Sequence, residues 1–126
     1  MESTHRATSK DIPAITQGMR ELFEYHKELT GDNRYDVQIN EEQIERSLLK
    51  LEYYVLGRSF IRGKDNVILD IWTPSEERGR GQATELIKAF SEGKKELVAL
   101  VDPRNEASVA FWKKRNIQTR DSRNVV

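Results

Sequence analysis

The sequence predicts a mixed α+β domain, in which a central twisted sheet of mixed strand direction is flanked by about four helices. Two observations support this prediction. Apolar residues recur in turn with helical and with strand periodicity, and no internal repeat or low-complexity linker interrupts them. The length of 126 residues suits one domain over 1–126 and leaves no room for a second. The predicted order is strand, two helices, antiparallel meander, helix, strand and helix.

The first two elements are a short edge strand and an amphipathic helix. Residues 3–7 predict the strand, and Ser9 is a suitable N-cap for the helix that follows. Asp11 in the first turn and Pro13 near the start support this assignment. The apolar stripe recurs at three- and four-residue steps in Ile12, Ile15, Met19, Leu22, Phe23 and Leu29. The Gly-Asp-Asn sequence at 31–33 predicts the end of this helix.

A second helix and a group of strands follow. Asn40 and Gln43 have the spacing of a capping box, and the apolar positions behind them are Ile44, Leu48, Leu49 and Leu51. From Tyr53 onward aromatic and β-branched residues predominate, with turn residues at Gly57 and at 63–66. This region predicts an antiparallel meander of two or three strands, depending on whether Gly57 forms a turn or a bulge.

The remaining elements are a helix, a strand and a helix. One helix lies within 78–93, with Gly93 as its C-cap and Leu86 and Phe90 on its buried side. Residues 97–101 read Leu-Val-Ala-Leu-Val and predict a short buried strand, and 105–115 predict the final helix.

The composition excludes several classes of function. Without cysteine the chain has no disulfide, no thiolate zinc site, no Cys-X-X-Cys redox motif and no cysteine nucleophile. No apolar run approaches the ~20 residues that span a bilayer, and the N-terminus lacks the apolar core of a signal peptide. We therefore expect a cytoplasmic protein without membrane contact.

The net charge of zero is the sum of two unlike segments. Residues 1–77 carry 10 basic and 15 acidic side chains, whereas residues 78–126 carry 11 basic and 6 acidic ones. The segments therefore have net charges of −5 and +5. An asymmetry of this kind predicts an anionic ligand on the C-terminal part.

The segment 72–87 contains the most informative motif, because an apolar strand leads through a Gly- and Arg-rich loop into a helix. Small residues at a helix start let backbone amides converge on a phosphate. A Walker A loop needs Lys-Ser/Thr after its last Gly, but Gln82 follows Gly81. A dinucleotide fingerprint is a weak match, because Thr84 stands at the third glycine position and six residues separate the strand from Gly79.

A third pattern fits better. Arg78, Gly81 and Ala83 match Arg/Gln-X-X-Gly-X-Gly/Ala, and here the chain resembles the GNAT acyltransferase superfamily, whose pyrophosphate loop has this pattern. The segment 105–117 is similar to the family's other signature, with matches at Asn105 and Phe111. The opening 5–15 is also similar to the family's first strand and helix, so that the resemblance covers nearly the whole chain.

The resemblance implies a GNAT-like acyl-CoA N-acyltransferase fold with acetyl-CoA as the co-substrate and no metal. Coenzyme A would lie in a V-shaped opening between parallel strands four and five. Backbone groups of Ile71, Trp72 and Thr73 would pair with its pantetheine arm. The Thr84 hydroxyl and backbone amides of the loop would hold the pyrophosphate, and Arg78 and Arg80 would add positive charge at the rim of this site. The amides are those of Gly79, Arg80, Gly81, Gln82 and Ala83. Asn105 would cap the last helix and also reach the pantetheine side. The alternative for the whole loop is a solvated arginine turn that caps a helix.

The chain departs from the family at the groups that move protons. Trp112 occupies the position where the family usually has a Tyr acid, and an indole cannot act as an acid near neutral pH. Asp70 is the only carboxylate within 67–72 and is the candidate base acting through water, although a surface position is an equal alternative. We expect His5 and His26 to be solvent-exposed or capping residues, and two isolated His make a metal site improbable.

The sequence after Ile117 is short compared with the family, so the fold is expected to be truncated at the C-terminal strands, with room for one short strand at most. An open sheet edge would result, and we expect a homodimer in which a partner completes the sheet. Asn116 replaces the family's Gly after the last helix and tolerates a left-handed backbone.

Two functions are favoured. The first is an N-acetyltransferase in which a primary amine attacks acetyl-CoA directly within a ternary complex. The second is a degenerate GNAT-fold protein that binds coenzyme A or a partner without efficient catalysis.

Nucleic-acid binding through the basic cluster 113–115, Arg120 and Arg123 is disfavoured, because no aromatic platform accompanies these cations. The acceptor amine, a small amine or a peptide, is not identified by the sequence, although the acidic residues before 78 would suit a cationic one.

Overall fold

The computed structural model describes residues 3–124 and contains a six-stranded mixed sheet and four α-helices. In chain order the elements are β1 (His5–Arg6), α1 (Ile12–Thr30), α2 (Glu41–Ser47), β2 (Glu52–Leu56), β3 (Ser59–Lys64), β4 (Val67–Trp72), α3 (Gln82–Ser91), β5 (Val98–Val101), α4 (Glu106–Lys114) and β6 (Gln118–Asp121). Short 3₁₀ turns lie at 9–11, 33–35, 75–77 and 122–124. The predicted class and order of elements are confirmed.

Capping side chains set the starts of the first two helices. The prediction of Ser9 as the N-cap of α1 is wrong, because Thr8 and Asp11 form a capping box around a 3₁₀ turn that precedes the helix. The predicted capping box of Asn40 and Gln43 is present at the start of α2, with backbone-to-side-chain distances of 2.9 and 3.0 Å. Local hydrogen-bonding chemistry therefore decides where these helices begin.

Two boundaries differ from those predicted. Helix α2 ends at Ser47, so that Leu48, Leu49 and Leu51 follow the helix and do not extend its stripe. The Ser47 hydroxyl donates to the Ile44 carbonyl at 2.9 Å and competes with the continuing helix. Helix α3 begins at Gln82, which leaves the preceding Gly- and Arg-rich segment as a loop.

The six strands follow one another in sequence order across the sheet. Strands β1 to β4 are antiparallel, and Gly57, with φ of +60°, forms a turn, so the meander has three strands. Strands β4, β5 and β6 run parallel to one another. Asn116 has the expected left-handed φ of +58°, and β6 is the single short strand that was predicted after Ile117.

Two apolar clusters cover the two faces of the sheet. Alternate residues of β2 divide between them: Tyr53 and Val55 pack with α1 and α2, whereas Tyr54 and Leu56 pack with α3 and α4. Burying both faces fixes the register of the central strands, because a slip of one residue would exchange the two sets. No helix within residues 3–124 is long and apolar enough to cross a membrane.

A bulge on β4 changes which residues face the helices α1 and α2. Arg62 pairs with Asp70 but Gly63 pairs with Ile68, so Leu69 is the extra residue. Gly63 permits this close approach, since a Cβ there would lie 2.2 Å from the Val67 carbonyl oxygen. The bulge thereby places Asp70 opposite Arg62 and Trp72 opposite Phe60.

Candidate functional site

The site begins where β4 and β5 separate. The two strands pair only through Val67 with Val98 and Ile68 with Ala99, although β4 continues to Trp72 and β5 to Val101. Beyond Ile68 the β4 backbone pairs with β3 on one side, and within residues 3–124 no strand pairs with it on the other. The structure thus contains the opening between the fourth and fifth strands that the family resemblance implied.

A groove of about 560 Å³ extends from this opening to the start of α3. All the residues that were predicted to bind coenzyme A line this groove, except Arg80. They are Ile71, Trp72, Thr73, Arg78, Gly79, Gly81, Gln82, Ala83, Thr84 and Asn105. The sequence did not predict that Tyr25, His26, Phe111 and Arg115 also line it.

The loop before α3 presents backbone amides to this groove. Gly79 and Gly81 have φ values of +80° and +75°, which side-chain-bearing residues rarely adopt. Gly81 is the N-cap of α3, and within the described chain no side chain caps this helix. By contrast, Asn40 caps α2 and Asn105 caps α4. The first amides of α3 are therefore open to an anionic ligand in the groove.

Side chains around the loop hold it in this shape. Arg78 donates from Nε to the Thr73 carbonyl at 3.0 Å, and its guanidinium lies 5.1 Å from the centre of the Trp72 ring. The Gln82 side chain accepts a hydrogen bond from Ser59 and donates one to Glu77. Arg58 pairs with both Glu76 and Glu77, so both acidic side chains of the loop are held by one arginine. Arg78 and Gln82 consequently contribute mainly by positioning backbone groups.

Asn105 connects the groove to His26. Its Oδ1 accepts from the Ser108 amide at 3.1 Å, which is the predicted capping role, and its Nδ2 lies 3.3 Å from His26 Nε2. His26 Nδ1 lies 3.0 Å from the Leu22 carbonyl oxygen, so the ring donates there and accepts from Asn105. The expectation of an exposed or capping role is wrong for His26, which is half-buried and stacks on Tyr35 at 4.9 Å.

A second, smaller cavity of about 240 Å³ adjoins the groove on the side of β5 and β6. Leu22, His26 and Ile71 line both spaces, so they form the boundary between them. Asp70 and Trp112, the two predicted catalytic positions, line the smaller cavity and not the groove. Trp112 is only 2% exposed, because its ring packs in the cluster with Phe90 and Val101.

Asp70 belongs to a polar chain on the α1 and α2 side of the sheet. Its Oδ2 accepts from Arg62 Nε at 2.6 Å, Arg62 donates to the Tyr53 hydroxyl at 3.2 Å, and that hydroxyl lies 2.6 Å from Ser47 Oγ. Burial by itself would lower the pKa of Arg62, but the charge of Asp70 and the contacts with Tyr53 raise it well above its usual range. Asp70 therefore faces a permanently charged partner and is not a solvated surface residue.

The carboxylate of Asp102 anchors the other end of the smaller cavity. It is fully buried and accepts from the Tyr35 hydroxyl at 2.6 Å and from Arg104 Nη2 at 2.6 Å. Arg104 also donates to Asp32 at 2.8 Å, which ties the 3₁₀ turn at 33–35 to the end of β5. Burial, and then the hydrogen bond to Asp102, raise the pKa of Tyr35 to about 12. Sequence reasoning missed this cluster, because its members are distant in the chain.

The other candidates lie elsewhere or are absent. His5 is exposed, as expected, and its Nε2 lies 3.1 Å from Asp11. Among residues 3–124 no group of three His, Asp or Glu side chains is arranged to hold a metal ion. In the basic cluster, Arg115 stacks on Phe111 at 3.7 Å inside the groove and Arg123 pairs with Asp121 at 2.7 Å.

Comparison with known proteins identifies the fold. No protein-family model and no curated protein matches the sequence. Among solved structures the chain is similar to yncA of Salmonella typhimurium, which is assigned as an acetyltransferase and was solved with its cofactor acetyl-CoA. The two share 16% sequence identity with a TM-score of 0.67, and the match covers 91% of this chain and 78% of yncA. An acetyltransferase from Thermus thermophilus matches at 18% identity, a TM-score of 0.65, and 91% and 85% coverage. YjaB of Escherichia coli, solved in its apo form in solution, matches at 19% identity, a TM-score of 0.59, and 90% and 80% coverage. The chain therefore has the fold of GNAT acetyltransferases.

The Asp102 cluster should make stability depend on pH in the acidic range. Hydrogen bonds from Arg104 hold the pKa of Asp102 well below the usual value of about 3.9, although burial opposes them. The cluster therefore stabilises the fold above about pH 4, and this contribution is lost as the pH falls further. Asp102→Asn should lower the free energy of unfolding by about 3 kcal/mol at pH 7 and should flatten its decline between about pH 5 and pH 2.

Urea denaturation at several pH values measures both effects. The matched control is Asp36→Asn, which removes the same charge at an exposed position and should leave the free energy of unfolding at neutral pH close to that of the wild type. Parallel pH profiles for the wild type and Asp102→Asn would contradict the role of Asp102.

Proposed function

We propose that the protein is an N-acetyltransferase that transfers the acetyl group of acetyl-CoA to a primary amine by direct attack within a ternary complex. The observation on which this proposal depends is the uncapped start of α3 at one end of a groove whose other end is the opening between β4 and β5. Exposed amides and an unpaired strand edge suit a ligand with an anionic end and an amide-bearing arm. The resemblance to a structure solved with acetyl-CoA supports the same assignment.

The residues of the groove fit coenzyme A. Amides from Gly79 to Ala83 and the Thr84 hydroxyl would hold the pyrophosphate, with Arg78 and Arg80 at the rim. Arg80 donates to the Glu76 carbonyl at 3.2 Å, so it too is fixed within the loop. Backbone groups of Ile71, Trp72 and Thr73 would pair with the pantetheine arm beside Asn105. When bound, acetyl-CoA supplies a thioester that an amine can attack.

Acetyl transfer needs two proton movements. A bond forms between the amine nitrogen and the acetyl carbon, the bond from that carbon to sulfur breaks, the amine loses a proton and the thiolate gains one. Asp70 is our candidate to accept the amine proton through water, since its carboxyl group lines the smaller cavity and is held in place by Arg62. Trp112 lacks an acidic proton at neutral pH. Tyr35 is also unsuited to be the acid, because its hydroxyl is engaged by Asp102 and its pKa is raised to about 12.

A second candidate function is favoured by Trp112 alone. An indole at the usual acid position would also suit a protein that binds coenzyme A without efficient turnover. General acid catalysis contributes about 10²–10⁴-fold, however, and a thiolate is a fairly good leaving group, so the loss of the acid slows such a reaction without abolishing it. Release of thiol in the presence of amines separates the two functions.

Binding of acetyl-CoA should depend on the loop before α3. In Arg78→Glu with Gly81→Asp, two added negative charges and a side-chain cap oppose the pyrophosphate at the helix start. Calorimetric titration should give a Kd for acetyl-CoA at least tenfold weaker than that of the wild type. The matched control is Arg120→Glu with Gly31→Asp, which makes the same changes at an exposed arginine and a left-handed glycine outside the groove. Equal affinities of the two double variants would contradict the assignment of the loop.

Replacing Asp70 should reduce turnover much more than it weakens the binding of acetyl-CoA. Asp70→Asn should lower kcat for thiol release by about 10²–10⁴-fold, with little change in the Kd of acetyl-CoA. Glu52→Gln is the control, because Glu52 forms a comparable half-buried ion pair with Lys94 at 2.9 Å away from both cavities. If both variants lose activity equally, Asp70 acts through the fold and not as the base.

The homodimer also stays a proposal. Strand β6 ends the sheet within residues 3–124, and an open strand edge can pair with another chain. Light scattering at micromolar concentration should give twice the chain mass of 14.7 kDa. A monomeric mass would contradict the dimer.

A further inference from the structure

The rim of the smaller cavity carries two arginines that the transfer of an acetyl group does not by itself require. Arg34, in the 3₁₀ turn after α1, and Arg123, after β6, both line it. Their side chains are 56% and 34% exposed, so both guanidinium groups are accessible. The two residues are 89 positions apart and meet only through the tertiary structure.

The parallel direction of β6 brings Arg123 to this rim. Residues that follow parallel strands lie together at the carboxyl ends of those strands, which is where ligands bind in open sheets of this kind. Asp102 follows β5, and Ser122 and Arg123 follow β6, so they lie at the same end of the strands and line one cavity with Asp70 of β4. An antiparallel strand in the place of β6 would place the residues after it at the opposite end.

Each of the two arginines is held in a fixed orientation by an aspartate two residues earlier. Arg34 contacts Asp32 through Nε and Nη2, at 3.2 and 2.8 Å, and Arg123 contacts Asp121 in the same way, at 3.0 and 2.7 Å. Both aspartates bind the side edge of the guanidinium. The end edge, formed by Nη1 and the second hydrogen of Nη2, is geometrically able to bind a carboxylate through two hydrogen bonds.

The acidic residues beside this rim are already paired. Asp102 is bound by Arg104 and Tyr35, and Asp70 is bound by Arg62. Arg104 lies close enough to Arg34 and Arg123 for its charge to lower the pKa of each of them, although their aspartates raise both pKa values overall. Each of the three guanidinium groups is thus paired with at least one aspartate, but the aspartates occupy only one edge of Arg34 and of Arg123. The remaining hydrogen-bond donors of these two arginines are able to bind a further carboxylate.

We propose that the acceptor is a small amine that also carries a carboxylate, as an α-amino acid does, and that Arg34 and Arg123 bind this carboxylate while the amine faces Asp70. The proposal rests on the proposed acetyl transfer and adds the class of the acceptor. It differs from the cationic acceptor that the acidic N-terminal segment suggested, because among those acidic residues only Asp70 lines the cavity, and Asp70 is paired with Arg62. The volume of about 240 Å³ suits a molecule of amino-acid size.

The test compares amino acids with their amides, and the arginine variants separate recognition of the carboxylate from the different basicity of the two amines. Glycine, alanine, leucine and phenylalanine are each assayed for thiol release from acetyl-CoA beside their amides. For at least one pair, kcat/KM should be tenfold or more higher for the acid, mainly through a lower KM. Arg34→Gln and Arg123→Gln should each reduce this ratio toward one without changing the Kd of acetyl-CoA. Arg46→Gln, which breaks an exposed ion pair with Glu42 on α2, is the matched control and should keep the ratio.

The outcomes separate this inference from the proposed function. A ratio near one in every pair, or a ratio that survives both arginine variants, would overturn the inference while leaving acetyl transfer intact. If no amine releases thiol, the catalytic proposal fails, and calorimetry of the same pairs on protein saturated with coenzyme A decides the inference separately. Tighter binding of the acids that depends on Arg34 and Arg123 would support it, and equal binding of acids and amides would overturn it.

Discussion

The separation of β4 from β5 is the feature on which the rest of the site depends. Two paired positions hold the strands together at one end, and apolar clusters cover both faces of the sheet that contains them. Backbone groups of β4 are left without a strand partner at the opening, which is costly in a sheet unless water or a ligand satisfies them. The same divergence creates both cavities and leaves His26 and Ile71 as the boundary between them.

The charged residues around this opening are arranged in pairs whose partners come from different elements. Arg58 holds Glu76 and Glu77 beside the loop, Arg62 pairs with Asp70, and Arg104 joins Asp102 to Asp32. Pairing of this kind fixes long side chains and limits their freedom to rearrange. The amides at the start of α3 and the outer edges of Arg34 and Arg123 then provide the polar groups that a ligand can use. The proposed ligands would therefore present two anionic groups, one to the groove and one to the smaller cavity.

Aromatic side chains connect these polar groups to the core. Tyr35 stacks on His26 and donates to Asp102, and Trp72 contacts Arg78 while its Nε1 lies 3.3 Å from Glu21. Each of these rings packs against neighbouring side chains and also donates a hydrogen bond to a carboxylate, so it restricts the movement of the residues that it contacts. The loop before α3 and the turn at 33–35 are thereby fixed, although both consist of irregular backbone.

The sequence by itself determined the order of the elements, the Gly- and Arg-rich loop before α3 and the cap at Asn105, because helix caps, turn glycines and apolar periodicity are encoded by residues close together in the chain. Even the left-handed backbone at Asn116 followed from its residue type. Only the tertiary structure decided that His26 meets Asn105 across 79 positions, that Trp112 and Asp70 line a cavity separate from the groove, and that Arg34 and Arg123 share one rim. These relations depend on the divergence of β4 and β5 and on the direction of β6. Strand pairing between distant segments sets both, and no local pattern specifies it.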